Sequence, residues 1–247
     1  MTLLEQVKSQ PLPGHVALIM DGNGRWAAAR GMPRLAGHRA GAEAAERLIR
    51  FVGNRIGLRY VTLFAFSSEN WTRPREEVDF LMELLQEFIE ARQTEFVEAG
   101  IRLRVAGDVS ELPAALQDAV RRVVGATAAG EKLGLTVALN YGGRQDLARA
   151  CKSLAEEVES GRVRAEDVDE ASIADRLYTS GIPDPDLVVR TSGEYRLSNF
   201  LLWQIAYAEL YFTDVCWPDF TPHELLRAIA AFQARDRRFG GSGGGAS

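Results

Sequence analysis

The stretch Val16-Ala17-Leu18-Ile19-Met20-Asp21-Gly22-Asn23-Gly24-Arg25-Trp26 decides the fold. Five apolar residues in a row suit a strand buried on both faces, as in parallel sheets covered by helices. At its end the chain turns through Gly22 and Gly24, loose enough to bring backbone amides up to a ligand. Asp21 stands at the strand's carboxyl end, where it can hold a hard cation such as Mg2+, and Arg25 offers a planar fork of donors to phosphate oxygens. Gly22, Gly24 and Ala27 also fit the G-x-G-x-x-A spacing of dinucleotide binding. An unshielded carboxylate beside a pyrophosphate is repulsive, however, so a divalent cation between the two makes better sense.

Outward from this strand, short apolar runs alternate with helical patterns. Strands are expected near 16–20, 60–66, 101–105, 135–139, 187–190 and 209–212, and helices near 39–52, 75–98, 112–125, 145–159, 171–180 and 223–234. That alternation predicts an α/β fold: one domain with a central, mainly parallel six-stranded sheet flanked by helices. Pro74 followed by Arg75-Glu76-Glu77 starts a helix with carboxylates near the positive end of its dipole. Its apolar arc, from Val78 to Ile89, is wide enough to pack on the sheet and also face a hydrophobic cavity or a partner subunit. In Tyr60-Val61-Thr62-Leu63-Phe64-Ala65-Phe66, period-two geometry puts Ala65 with Val61 and Leu63, opposite Phe64 and Phe66. Ala65 is the smallest side chain of that strand.

The 247 residues, 46% hydrophobic and 26% charged, fit one ordinary globular domain with a substantial core. A net charge of -5 gives no reason to expect nucleic acid, so anion binding must be local. Cys151 and Cys216 have neither metal-ligand spacing nor a disulfide framework, which suits a reducing cytoplasm. With no signal-peptide pattern and no uncharged run of membrane-spanning length, any membrane contact is expected to be peripheral. The segment 242–247, rich in Gly and Ser, is expected to be a flexible tail.

In open parallel α/β sheets, ligands bind beyond the carboxyl ends of the strands. The unusual polar residues collect there: Asp21 to Trp26 after the first strand, Ser67-Ser68-Glu69-Asn70-Trp71-Thr72-Arg73 after the second, Asn140 to Arg144 after the fourth, and Arg190 to Ser198 after the fifth. The cations suggest two phosphate-bearing groups, one served by Arg25, Arg34, His38 and Arg39, the other by Arg73, Arg190 and Arg196 with Ser198. Glu209, a charge inside the apolar run 206–212, needs compensation, either by a structural ion pair or by sharing a cation with Asp21. The segment 125–132 is no P-loop, because Glu131 stands where the lysine is required. There is also no nucleophile elbow, no zinc pattern and no Asp-Asp-x-x-Asp motif of the all-helical prenyl synthases.

Assembled, these residues resemble the bacterial cis-prenyltransferases. The resemblance runs from about His15 to Gly241, after an N-terminal segment 1–14. It is carried by His15 to Ala27, Gly37-His38-Arg39-Ala40-Gly41, Phe66 to Trp71, Asn140-Tyr141-Gly142-Gly143-Arg144 and the block Arg190 to Trp217. It implies that isopentenyl diphosphate units are condensed in cis onto an allylic diphosphate, farnesyl diphosphate being expected. The implied product is a long polyprenyl diphosphate such as the undecaprenyl carrier-lipid precursor for cell-wall synthesis. A shorter-chain synthase and a noncatalytic partner subunit are the alternatives.

The allylic diphosphate would lie over Gly22, Asn23, Gly24, Arg25 and Trp26, helped by Arg34 and Arg39 with His38 nearby, and Asp21 would hold Mg2+. Isopentenyl diphosphate would be held by Ser67 or Ser68, Arg190, Arg196 and Ser198, beside Glu69 and Leu197. Glu209 would serve as a metal ligand or as a neighbour of one, and Ala65 would line a hydrophobic product tunnel. Asn70, flanked by Trp71 and Arg73, is the family's usual candidate for directing proton loss, although Asn is a very weak base and suits an orienting role. Tyr195 departs from the pattern, since members often carry His or a smaller polar residue there. The Arg-x-Gly ending at Arg238 to Gly240 is implied to reach a partner subunit, so the expectation is a cytoplasmic homodimer whose membrane contact, for product release, is peripheral and at the inner face.

Overall fold

The computed structural model describes residues 1–235. All six expected strands are present: β1 (His15–Ile19), β2 (Tyr60–Ser67), β3 (Ile101–Ala106), β4 (Leu133–Tyr141), β5 (Leu187–Arg190) and β6 (Glu209–Phe212). They form one all-parallel sheet in the order β3-β4-β2-β1-β5-β6. Every residue of β1 is buried, as the continuous apolar run requires of a strand covered on both faces. Val16 and Leu18 enter the larger core cluster on one face, and Ala17 and Ile19 the smaller cluster on the other. From β1 the chain moves to β2 on one side and later returns to place β5 on the other, so the order reverses between β1 and β5. Such a switch point opens a crevice at the carboxyl edge of the sheet.

The helices are α1 (Leu3–Lys8), α2 (Asn23–Ala28), α3 (Arg34–Phe51), α4 (Arg75–Ala91), α5 (Gln93–Ala99), α6 (Ala114–Ala126), α7 (Gly143–Glu159), α8 (Glu170–Ala174) and α9 (Pro222–Gln233). Three expectations are corrected. The helix expected over 75–98 breaks at Arg92, whose φ of -109° and ψ of 3° separate α4 from α5. The helix expected over 171–180 ends at Ala174, because the following segment is drawn onto α7: the Tyr178 amide donates to the buried Asp146 carboxylate at 3.0 Å, and Arg149 stacks on the Tyr178 ring. Period two also fails at the end of β2. The β2–β4 register shifts between Phe64 and Phe66, a bulge centred on Ala65, so Phe66 joins Val61 and Leu63 in the larger core cluster instead of facing away from them. The expected tail at 242–247, the Arg-x-Gly ending and the domain limit at 241 lie outside the described residues. Among the described residues no helix is long and apolar enough to cross a membrane.

Candidate active site

Asp21 and Arg190 meet at the β1/β5 switch point. The Arg190 guanidinium, buried at 3% exposure, donates to Asp21 Oδ2 at 2.9 Å and to Ser198 Oγ at 2.8 Å, and also to the Arg196 carbonyl. Thr191 grips the Asp21 backbone from both sides, accepting its N–H at 2.9 Å and donating to its carbonyl at 2.7 Å. Gly22 follows in the left-handed region at φ 102°, and a Cβ there would lie 2.7 Å from Ser192 Oγ, so the turn into α2 requires glycine. The first amides of α2 have no partner within the helix, and Gly22, Asn23 and Gly24 line the cavity described next. Burial opposes ionisation of Asp21, but hydrogen bonds from Arg190 and the Gly22 amide, with the Arg190 and Arg25 charges, outweigh it and hold its pKa below the usual carboxylate value.

A cavity of about 630 Å³ runs inward from this edge. Its mouth carries Asp21, Arg190, Arg196, Ser198, Ser67, Glu69 and Asn70, and its interior passes between α3, α4 and the sheet over Ala45, Leu63, Ala65, Leu81, Leu85 and Phe88. On the α3 side, one oxygen of the buried Glu77 accepts from Arg34 Nε at 2.9 Å, His38 Nε2 at 3.0 Å and Arg73 Nη1 at 3.0 Å. Burial opposes the Glu77 charge, yet these donors keep its pKa low; His38, conversely, has its pKa lowered by burial against the pull of Glu77. Asn70 Oδ1 accepts the Ser67 amide at 3.1 Å, closing the turn after β2.

The structure redistributes several expected residues. Arg73 joins Arg34 and His38 around Glu77, not Arg190 and Arg196 as its place after β2 suggested. Arg25 turns from the cavity to Asp21, Glu194 and the Ser192 carbonyl, and Trp26 donates to Asp219 beneath a stacked Arg30. Arg39 reaches toward Glu87 and the Phe80 face. Ser68 accepts from Gln145, Trp71 donates to Asn140 at 2.8 Å with its edge against Phe66, and Leu197 packs on the smaller core cluster.

Glu209 is the clearest correction. It pairs in register with Leu187, which pairs with Val16, so it begins β6 while Asp21 follows the end of β1. At about 3.3 Å per residue the two differ by roughly 16 Å along the strands, with two strand spacings between them. Within one chain they cannot share a cation, and Glu209 instead pairs with Arg235 at 2.5 Å. Glu77, Thr191 and Asn199 were not singled out from the sequence. The signal for Glu77, an acidic first helical turn, reads equally as simple dipole matching.

Asp21 would be the side chain to hold Mg2+ at this mouth. Among the described residues no three metal-ligating side chains cluster, so Asp21 would supply a single carboxylate and the remaining ligands would be diphosphate oxygens and water, the usual manner for that ion.

Residues 19–240 match the Prenyltransf family model, that of undecaprenyl diphosphate synthase. The chain is 50% identical to an isoprenyl transferase of Geobacillus kaustophilus over 96% of its own length and 92% of the relative's, and 48% identical to the isoprenyl transferase of Bacillus subtilis over 96% and 91%. Among solved structures it is similar to lavandulyl diphosphate synthase from Lavandula x intermedia in complex with dimethylallyl diphosphate, with a TM-score of 0.90, 38% identity, and 96% and 100% of the two chains covered. A match along nearly the whole chain, joined to a carboxylate and arginines set over an apolar cavity at the sheet's switch point, places it: the chain belongs to the undecaprenyl diphosphate synthase family of isoprenyl transferases, the cis-prenyltransferases.

Proposed function

We propose that this isoprenyl transferase adds isopentenyl diphosphate units to an allylic diphosphate, with farnesyl diphosphate as primer, to make a long polyprenyl diphosphate such as undecaprenyl diphosphate. The observation that carries the reading is one cavity that is ionic at its mouth and apolar along its depth, with Asp21 and Arg190 joined at the mouth. Cleaving the allylic carbon–oxygen bond leaves negative charge on diphosphate, and donors already in place stabilise that charge most in the transition state. Mg2+ held by Asp21 would supply positive charge to the departing diphosphate. The Asn23 and Gly24 amides and Arg34 bind the allylic diphosphate, while Arg196, Ser198 and the rigidly held Arg190 bind isopentenyl diphosphate. The isopentenyl double bond then forms the new carbon–carbon bond, and a proton leaves to departing diphosphate or water while Asn70 orients the reacting end.

The apolar interior accepts the growing tail: each isoprenoid unit adds five carbons, at about 0.8 kcal/mol per buried methylene-sized group. A homodimer belongs to the same reading, and sedimentation measures it. Incubating the protein with farnesyl and isopentenyl diphosphates and Mg2+ and weighing the products tests it, and no chain extension would defeat it. The similarity to a structure holding dimethylallyl diphosphate favours a second reading with a shorter primer and product, which the same product masses distinguish.

A further inference from the structure

Three of the four polar clusters at the carboxyl edge meet on one side chain. Asn199 Nδ2 donates to Glu69 Oε1 at 2.7 Å and to Gln145 Oε1 at 3.0 Å, while its Oδ1 accepts the Arg144 amide at 2.8 Å. Its carbonyl accepts the Gly143 amide at 2.6 Å. Gly142 makes room for this junction, since a Cβ there would sit 2.7 Å from Asn199 Nδ2 and 2.2 Å from Gln145 Oε1. From Asn199 the bonds run both ways into the site. On one side Ser198 accepts from Arg190; on the other, Glu69 accepts from Ser67, whose amide donates to Asn70.

We propose that Asn199 is a positioning residue for the condensation, clasping the arginine-bearing loop 190–199 to the turn 67–70 so that bound isopentenyl diphosphate is held at a fixed distance from Asn70. This rests on the isoprenyl-transfer reading above. The backbone is telling: Asn199 has φ 61°, a left-handed conformation that glycine adopts more easily, so the side chain is what distinguishes Asn from the easier residue. Its amide offers both a donor toward Glu69 and an acceptor toward Arg144, and no aspartate in its charged form can replace the donor.

The test uses Asn199→Gly, which suits the backbone and removes the clasp, and Asn199→Asp, which keeps the shape and sets a carboxylate against Glu69. Both are expected to raise KM for isopentenyl diphosphate and lower kcat, each by about tenfold, while KM for farnesyl diphosphate changes by less than about threefold. Pairing Asn199→Asp with Glu69→Gln restores a donor to the junction with its direction reversed. The double variant is therefore expected to regain about tenfold in kcat/KM over Asn199→Asp alone. Unchanged kinetics with only a lowered melting temperature, or no rescue by Glu69→Gln, would overturn the proposal. A parent protein that extends no primer would overturn the functional reading itself, and this proposal with it, before any variant is compared.

Discussion

The two ends of one sheet are built to different rules. At the amino ends, the His15 ring bridges Pro183 O at 2.6 Å and Thr62 Oγ1 at 2.8 Å, and the Asp186 carboxylate accepts the Gly14 and His15 amides at 2.8 and 3.2 Å. These bonds tie β1 to its neighbours. At the carboxyl ends lie all the non-glycine residues of positive φ among the described residues: Asn140, Ser192, Ser198, Asn199 and Leu201. Such conformations cost about 1–3 kcal/mol each and persist where surrounding structure overdetermines them, typically at functional sites. Asp21, Arg190 and Arg196 sit at this strained edge. The contrast teaches that the amino edge holds the strands together and the carboxyl edge spends stability to hold ligand groups.

Removing Asp21 breaks the comparison most sharply. Asp21→Asn keeps one oxygen, sets its NH2 against either Arg190 or the Gly22 amide and loses the charge, and kcat is expected to fall about 10²–10³-fold at saturating Mg2+ while the thermal unfolding curve stays cooperative. Near-normal turnover would remove Asp21 from the reaction.

The amino edge should show the converse, a loss of stability without a loss of turnover at neutral pH. Burial pushes the His15 pKa from 6.5 down to about 4, only partly offset by the Pro183 carbonyl and the Asp186 charge. A base with a depressed folded pKa leaves the unfolded chain binding more protons between the two values. Its stabilisation is therefore complete above pH 6.5 and lost as pH falls toward 4, a change of about 3 kcal/mol. Urea unfolding at pH 7.5 and 4.5 measures most of this, and His15→Gln should remove that part of the difference while leaving kcat at pH 7.5 unchanged.

Arg196→Ala sharpens the division within the carboxyl edge. Arg190 holds Asp21, so its removal would disturb both diphosphate sites, whereas the more exposed Arg196 pairs with Glu194. Losing charge-assisted bonds of roughly 1.5–3 kcal/mol should raise KM for isopentenyl diphosphate about 10–100-fold and leave that for farnesyl diphosphate nearly unchanged. Equal effects would show that the two anions are not divided in this way. The smallest effect is expected at the bulge: Ala65→Leu should overpack the cavity by about 1–3 kcal/mol and shift the products to shorter chains. An unchanged mass distribution from the folded, active variant would take Ala65 out of the tail's path.

The strands were legible because each is a short apolar run, and their carboxyl ends marked the site. What stayed hidden depends on partners distant in sequence. The run 21–24 reads locally as an Asp-Gly and Asn-Gly turn, yet Gly22 absorbs the bend and the helix Asn23–Ala28 follows at once. Glu77 becomes a hub only when α3 lays Arg34 and His38 beside it, and Asn199 only when the loop after β5 meets the start of α7. Glu209 was readable and misread, since strand direction alone places the first residue of β6 at the amino edge, away from Asp21.

The switch point also bears on how the chain acquires activity. Asp21 and Arg190 are 169 residues apart in sequence, so their ion pair closes one of the longest loops in the molecule. Contacts of such separation carry a large loop-closure cost and form slowly. β1, β2, β3 and β4 can assemble with their helices before β5 docks, giving most of the secondary structure and none of the Asp21–Arg190 mouth. Catalytic competence is therefore expected late in folding: in a refolding experiment the far-ultraviolet signal should recover before turnover, and simultaneous recovery would overturn that order.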